Sequence, residues 1–352
     1  MKSAKSWPSG TVCGICHLTL RKRVVISNRS PFQKNIISTD KITAAVFSPS
    51  AKPLKNKGVL QKMNNYVLFT DSTCDLPNKL AEQLDVRVVP MEFLIDNRVY
   101  HHYLDGREMS MKEFYDGLRN GSMPTTTQIN QTVYFELFEP VLAEGKDILY
   151  LCFSSGLSGT YQSSRLAVQE LSELYPNRKI YTVDTRCASV GEGAIVYETA
   201  QKMAEGFSIE ELRDYAESIR LRVNHWFTVD DLFHLHRGGR VSAVTAIAGT
   251  ALGIKPILTV SAEGKLETSS KVRGRKKAME TMCGHLVENL GAIQNPVLFI
   301  GHSDCADDAR ELEKLVRSKV KAKKIYIADI GPIIGTHVGP GMLALAFLGE
   351  HR

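Results

Sequence analysis

Residues 149–161 read L-Y-L-C-F-S-S-G-L-S-G-T-Y, a short apolar run that ends abruptly in hydroxyls and glycines. The run has strand length, and Tyr161, Ala167, Val168, Leu171 and Leu174 recur behind it at helical spacing. The same order returns along the chain. Residues 66–70 feed Asp71-Ser72-Thr73-Cys74-Asp75 and a helix from about Pro77. Residues 180–183 feed Asp184-Thr185 and a helix with Val190, Ala194, Tyr197, Ala200 and Ala204 on one face. Residues 297–301 feed His302-Ser303-Asp304 and a helix carrying Ala309, Leu312, Val316 and Val320. Asp307 and Asp308 open that last helix and Arg317 and Lys319 close it, as its dipole favours. Ser110 with Glu113, and Ser208 with Glu211, have capping-box spacing. This alternation predicts an α/β fold with mainly parallel sheets flanked by helices, and ligands at the carboxyl ends of the strands. A division at His225-Trp226 separates an N-terminal α/β domain, 65–225, from a C-terminal one, 226–352, with a ligand cleft between them.

The 352 residues suffice for two domains, and 43% apolar with 23% charged residues is a globular composition. Charge is unevenly placed. The first 62 residues hold 12 Lys and Arg against the single acid Asp40, whereas the rest carries 32 bases and 37 acids. The basic excess therefore belongs to the leader, and nucleic acid is not an expected partner of the folded part. Residues 1–64 read as a basic, disordered extension, open to three accounts: a targeting presequence, a regulatory tail, or a start upstream of the natural one. Met63, just before the first strand, favours the last. Seven scattered cysteines form no disulfide framework, which fits a reducing cytoplasm. Cys13-Gly14-Ile15-Cys16-His17 matches a haem-attachment pattern, but no export signal precedes it. Zinc is unsupported, because no second Cys/His pair stands at ligand spacing. The uncharged run 241–254 is too short to cross a bilayer and reads as a buried small-residue helix.

Several turns offer ligand chemistry. In residues 154–160, Ser154, Ser155, Ser158 and Thr160 supply donors and acceptors, and Gly156 and Gly159 permit close backbone approach. The helix start behind them favours a carboxylate or phosphate, although a serine-rich N-cap without a ligand has the same composition. Thr125-Thr126-Thr127-Gln128 offers three hydroxyls and an amide, or a plain helix cap. Arg237-Gly238-Gly239-Arg240 sets two guanidinium groups around a flexible backbone, suited to phosphate or to solvent. His337 is framed by Gly335, Gly339, Pro340 and Gly341. The chain has no nucleophile elbow, no phosphate loop of the G-x-x-x-x-G-K-[ST] type, and no G-x-G-x-x-G after its first strand. A binder is favoured over an enzyme.

Taken together, T-D-S-T-C-D-L-P at 70–77, T-T-Q at 126–128, S-S-G-L-S-G-T-Y-Q at 154–162, R-G-G-R at 237–240, L-G-I-K-P-I-L at 252–258 and G-T-H-V-G-P-G at 335–341 resemble the DegV family over residues 65–352. The resemblance implies a long-chain fatty acid in an apolar tunnel, its carboxyl group presented to the catalytic subunit of a fatty acid kinase for acyl phosphate formation. It implies no cofactor, no catalytic residue and no metal, a cytoplasmic location, and at most transient contact with a membrane surface. Carried over, Thr126 and Ser155 hold the carboxyl group with His337 beside it, and Thr127 and Ser158 complete the ligand set. Arg240 and Arg273 face the head group or the kinase. Where the family has T-S-Q-P-S, this chain has Thr126-Thr127-Gln128-Ile129-Asn130, losing a proline and some loop rigidity. The enzyme-class alternative is a serine acyl hydrolase using Ser155 or Ser158 with His337. A sugar- or nucleotide-phosphate binder is a third reading.

Overall fold

The computed structural model describes residues 65–230, 232–242 and 253–352. The basic extension with its Cys13/Cys16/His17 motif, and most of the run 241–254, lie outside them.

The first sheet is the expected one. Strands β1 (Tyr66–Asp71), β2 (Val86–Val89), β6 (Asp147–Cys152) and β7 (Ile180–Asp184) pair in parallel in the order β2-β1-β6-β7. β6 is buried on both faces from Ile148 onward, as its unbroken apolar run requires. Strands β3 (Met91–Ile95), β4 (Arg98–His102) and β5 (Thr125–Thr126) form a small antiparallel sheet in the order β4-β3-β5. The Asp96-Asn97 turn joins β3 to β4 with positive φ at both residues, which Asp and Asn tolerate in a two-residue hairpin.

The largest sheet departs from the parallel expectation. It contains β8 (Val223–Thr228), β9 (Ile254–Val260), β10 (Leu266–Arg273), β11 (Val297–His302), β12 (Lys324–Asp329) and β13 (Leu343–Leu348), ordered β10-β9-β8-β13-β11-β12. Only β11 and β12 run parallel. Two local features produce this. A short turn at Ala262-Glu263-Gly264 folds β10 back on β9, and the C-terminal strand β13 inserts antiparallel between β8 and β11. The chain enters this sheet at Val223, so the division expected at His225-Trp226 falls within β8.

This sheet separates two cores. Trp226, Leu298, Ile300, Leu343, Leu345 and Phe347 face the helices Arg275–Leu290 and Ala306–Lys319. Their alternates Phe227, Phe299, Ala344 and Ala346 join the core shared with the first sheet. The sequence L-A-L-A-F-L of β13 thus turns Leu343, Leu345 and Phe347 one way and Ala344, Ala346 and the terminal Leu348 the other. The helix Val190–Ala204 packs against β8, β11 and β13 and also against the 3-10 turn Ser72–Cys74. It is apolar well beyond the one stripe expected, because sheet and turn both cover it.

Candidate functional site

The alanine face of β13 leaves room. A cavity of about 270 Å³ lies between the two larger sheets. Phe153, Leu157, Val190, Phe227, Ile334 and Met342 are among its apolar lining. Its polar lining includes Thr126, Thr127, Gln128, Ser158, Arg240 and His337.

Each polar residue is held by its own element. Thr126 pairs with Phe93 in β5, and Thr127 N–H donates to Glu92 O at 3.2 Å. Gln128 Nε2 donates to Ser163 Oγ at 3.2 Å and Ile129 N–H to Thr160 Oγ1 at 3.3 Å. Asn130 Oδ1 caps the helix Gln131–Ala143 through Val133 N–H at 3.2 Å. These bonds fix the loop 126–130. His337 stands on the helix Pro332–Val338, and its Nε2 lies 2.9 Å from Thr126 Oγ1. Arg237 donates to Pro124 O and to Thr336 O, each at 3.1 Å, and so ties the threonine loop to the histidine helix. A Cβ on Gly238 would lie 2.3 Å from His337 Nδ1. The R-G-G-R segment is therefore a clamp on the histidine's position, in addition to what Arg240 offers.

The electrostatics suit an anion. Burial first, then Arg240, Arg237 and His234, push the His337 pKa down to about 4, so the ring is neutral at pH 7. Its Nδ1 is buried without a hydrogen-bond partner. Arg240 lines the cavity while donating to Leu157 O at 3.1 and 3.2 Å, and burial lowers its pKa. Ser158 Oγ lies 2.9 Å from Thr160 Oγ1 and accepts from Thr160 N–H.

Two of the expected site residues stand apart. Ser155 is exposed and does not line the cavity; its N–H and Oγ donate to Asp184 at 3.1 and 2.6 Å. Arg273 is exposed at the end of β10, paired with Ile254, and likewise does not line it. The glycines of the serine turn also serve packing. A Cβ on Gly156 would lie 2.6 Å from Glu263 O, and one on Gly159 would lie 2.1 Å from Gln128 Oε1. Neither Ser155 nor Ser158 is bonded to His337, so no nucleophile–base pair is assembled.

Beneath the T-D-S-T-C-D motif lies a carboxyl cluster that the sequence reading missed. Asp71 accepts from Thr73 N–H, Thr73 Oγ1, Tyr150 Oη and Phe153 N–H. Glu192, fully buried, meets Thr70 Oγ1 at 3.2 Å and Thr73 Oγ1 at 2.8 Å. Thr73 has one hydroxyl proton but two carboxyl neighbours, so when it donates to Asp71 it must accept from Glu192. Burial and the Asp71 charge raise the Glu192 pKa well above the ordinary range, consistent with that neutral acid. Asp75 Oδ2 accepts from Ser189 Oγ at 2.6 Å. Ser189 itself lines the cavity and has φ +53°, a conformation rare outside glycine. The only sequence signal was an acid between two glycines, at Gly191-Glu192-Gly193, in the apolar first half of its helix.

A family model described as "Uncharacterised protein, DegV family" matches residues 65–350. The chain belongs to the DegV family. A DegV domain-containing protein of Clostridium perfringens is 43% identical over 290 residues, 82% of this chain and 99% of that relative. The solved structure of a DegV-family protein from Thermus thermophilus, described by its fatty acid binding, is similar to this DegV-family chain with a TM-score of 0.73. Its identity is 31%, covering 81% of this chain and 99% of the other. DegV of Bacillus subtilis, described as a fatty acid binding protein, has a TM-score of 0.71 and 27% identity, covering 82% and 100%. Among the described residues no helix is long and apolar enough to cross a membrane.

Proposed function

We propose that this chain binds one long-chain fatty acid, with the hydrocarbon in the cavity and the carboxyl group at Thr126 and His337. In this reading the protein has no turnover of its own. It works in the cytoplasm, touches membrane surfaces at most in passing, and presents the carboxyl group to a separate ATP-dependent kinase before holding the acyl phosphate. Residues 65–225 and 226–352 act as the two lobes around the ligand, and neither a cofactor nor nucleic acid takes part. The observation that carries this is an apolar cavity whose polar lining includes a neutral histidine bonded to a threonine, with Arg240 close by to offset the ligand's charge. Thr127 and Ser158 line the same cavity. Ser155 would have to leave Asp184 to reach the ligand, and Arg273 would meet the kinase rather than the acid.

Burying about a dozen methylenes at ~0.8 kcal/mol each contributes on the order of 10 kcal/mol before association costs, against about 1 kcal/mol for a head-group hydrogen bond. The tail therefore sets affinity and the hydroxyls set placement. Native mass spectrometry of protein purified without added lipid should show a fatty-acid adduct. Incubation with ATP and the catalytic subunit should then give an acyl phosphate that hydroxylamine traps. A nucleotide or sugar phosphate in place of the lipid would overturn the reading, and ester turnover abolished by Ser158→Ala would favour the hydrolase.

A further inference from the structure

One wall of the cavity has a regular spacing. Ala344 and Ala346 of β13 line it, and so do Phe227 and His225, the residues paired with them on β8. The next pair on the same face, Val223 with Leu348, packs into the core and does not line the cavity. This two-strand ladder has a head end. Leu343 follows directly from the segment that carries His337, and its partner Thr228 leads to Arg237, which donates to Thr336 O at 3.1 Å. The opposite end is closed. His225 is 6% exposed, its Nε2 accepts from Ala188 N–H at 3.3 Å, and its ring leaves no room for a Cβ on Gly191. Burial, then Arg352, holds the His225 pKa well below its ordinary value, so the ring is neutral and can face hydrocarbon.

We propose that this ladder is a ruler for the acyl chain: the acid lies along it from His337, Ala344 and Ala346 leave the width in which the chain passes, and His225 with the Val223–Leu348 pair behind it fixes where the chain must stop. The proposal rests on the fatty-acid reading above and adds to it the residues that select chain length.

The spacing converts into carbon atoms. Same-face positions two residues apart on an antiparallel strand are about 6.8 Å apart. A carbon chain with bonds of about 1.5 Å advances about 1.25 Å per methylene. One step from Ala344 to Ala346 therefore corresponds to about five methylenes. A larger side chain at either position blocks the passage there, and the block at 344 comes one step nearer the head group.

The test is the affinity of the full chain, stripped of lipid, for saturated straight-chain acids from octanoate to eicosanoate. In the wild type, affinity should rise about fourfold per added methylene, up to a break where the chain meets His225. Ala346→Leu should move the break to shorter acids, and Ala344→Leu should move it about five carbons further. Leu343→Val, on the opposite face of β13 and outside the cavity, should leave it in place. The ratio of affinities for two acids does not depend on the fraction of protein folded, so a destabilised variant still reports. Ala344→Val and Ala346→Val replace a leucine variant that fails to fold, with the same order of breaks expected. A wild type that binds no acid would end the fatty-acid reading itself. A wild type that binds without a break would overturn the ruler alone, as would a break moved further by Ala346→Leu than by Ala344→Leu. So would a uniform loss at every chain length in both variants, since the alanines would then serve only to seat the helix Val190–Ala204.

Discussion

At Asp71 four donors converge on one buried carboxylate, whereas at His337 a ring nitrogen is buried with no partner. Both clusters are polar and enclosed, yet they are built on different terms. The acid cluster saturates itself: Thr70, Thr73, Tyr150 and backbone N–H groups satisfy Asp71 and Glu192, and one shared proton stands where a base would otherwise be needed. The cavity cluster is held differently: His337 bonds Thr126 through Nε2 and is wedged against Gly238 through its bare Nδ1. Hydrogen bonds hold the first sheet and the helix Val190–Ala204 in place; close packing holds the histidine.

The contrast breaks most sharply at Asp71. Asp71→Ala strands two backbone N–H groups in the core and leaves the Tyr150 hydroxyl with Tyr134 Oη alone, and should cost about 3 to 5 kcal/mol in urea unfolding. Glu192→Gln should cost under about 1 kcal/mol, since the acid is already neutral. Equal losses from the two would refute the proton assignment.

The cavity cluster responds to pH in a defined direction. His337 has a pKa of about 4 when folded and about 6.5 when unfolded, so the unfolded chain binds more protons between those values. Its contribution, on the order of 2 to 3 kcal/mol, is complete above about pH 6.5 and is lost as pH falls towards 4. Asp75, raised to about 7, acts oppositely: its contribution is complete below about pH 4 and is lost as pH rises through 7. Unfolding of His337→Gln and Asp75→Asn across pH 4 to 8 separates the two slopes. Parallel curves would erase the distinction between the clusters. Gly238→Ala tests the clamp. Its methyl must move His337 or the segment 237–240, at about 1 to 3 kcal/mol and with loss of the Thr126 contact, visible as a changed His337 imidazole resonance.

Much of this was legible in the chain. Strand, turn and helix spacing placed β1, β6, β7 and β11 within a residue or so, and the glycine- and hydroxyl-rich turns marked Thr126, Ser158, Arg240 and His337, which do line one cavity. The antiparallel β13 was not legible, because L-A-L-A-F-L reads as a strand without revealing its neighbours. Glu192 stayed hidden because a buried acid is intelligible only once Thr70 and Thr73, more than a hundred residues earlier, are seen against it. The position of Ser155 outside that cavity was hidden for a related reason: its partner, Asp184, ends a different strand.

That serine gives the finest test of the contrast. Thr126 Oγ1 is bonded to His337 and faces the cavity, while Ser155 Oγ is held by Asp184 outside it. Thr126→Ala should therefore weaken retention of a fluorescent fatty acid by about 1 kcal/mol, close to one net hydrogen bond, and Ser155→Ala by less than its measurement error. Acyl phosphate formation should fall more steeply than binding in Thr126→Ala, because displacing the reacting oxygen slows transfer more than it loosens the tail. If Ser155→Ala matches Thr126→Ala in both assays, the serine exchanges Asp184 for the acid and turns inward.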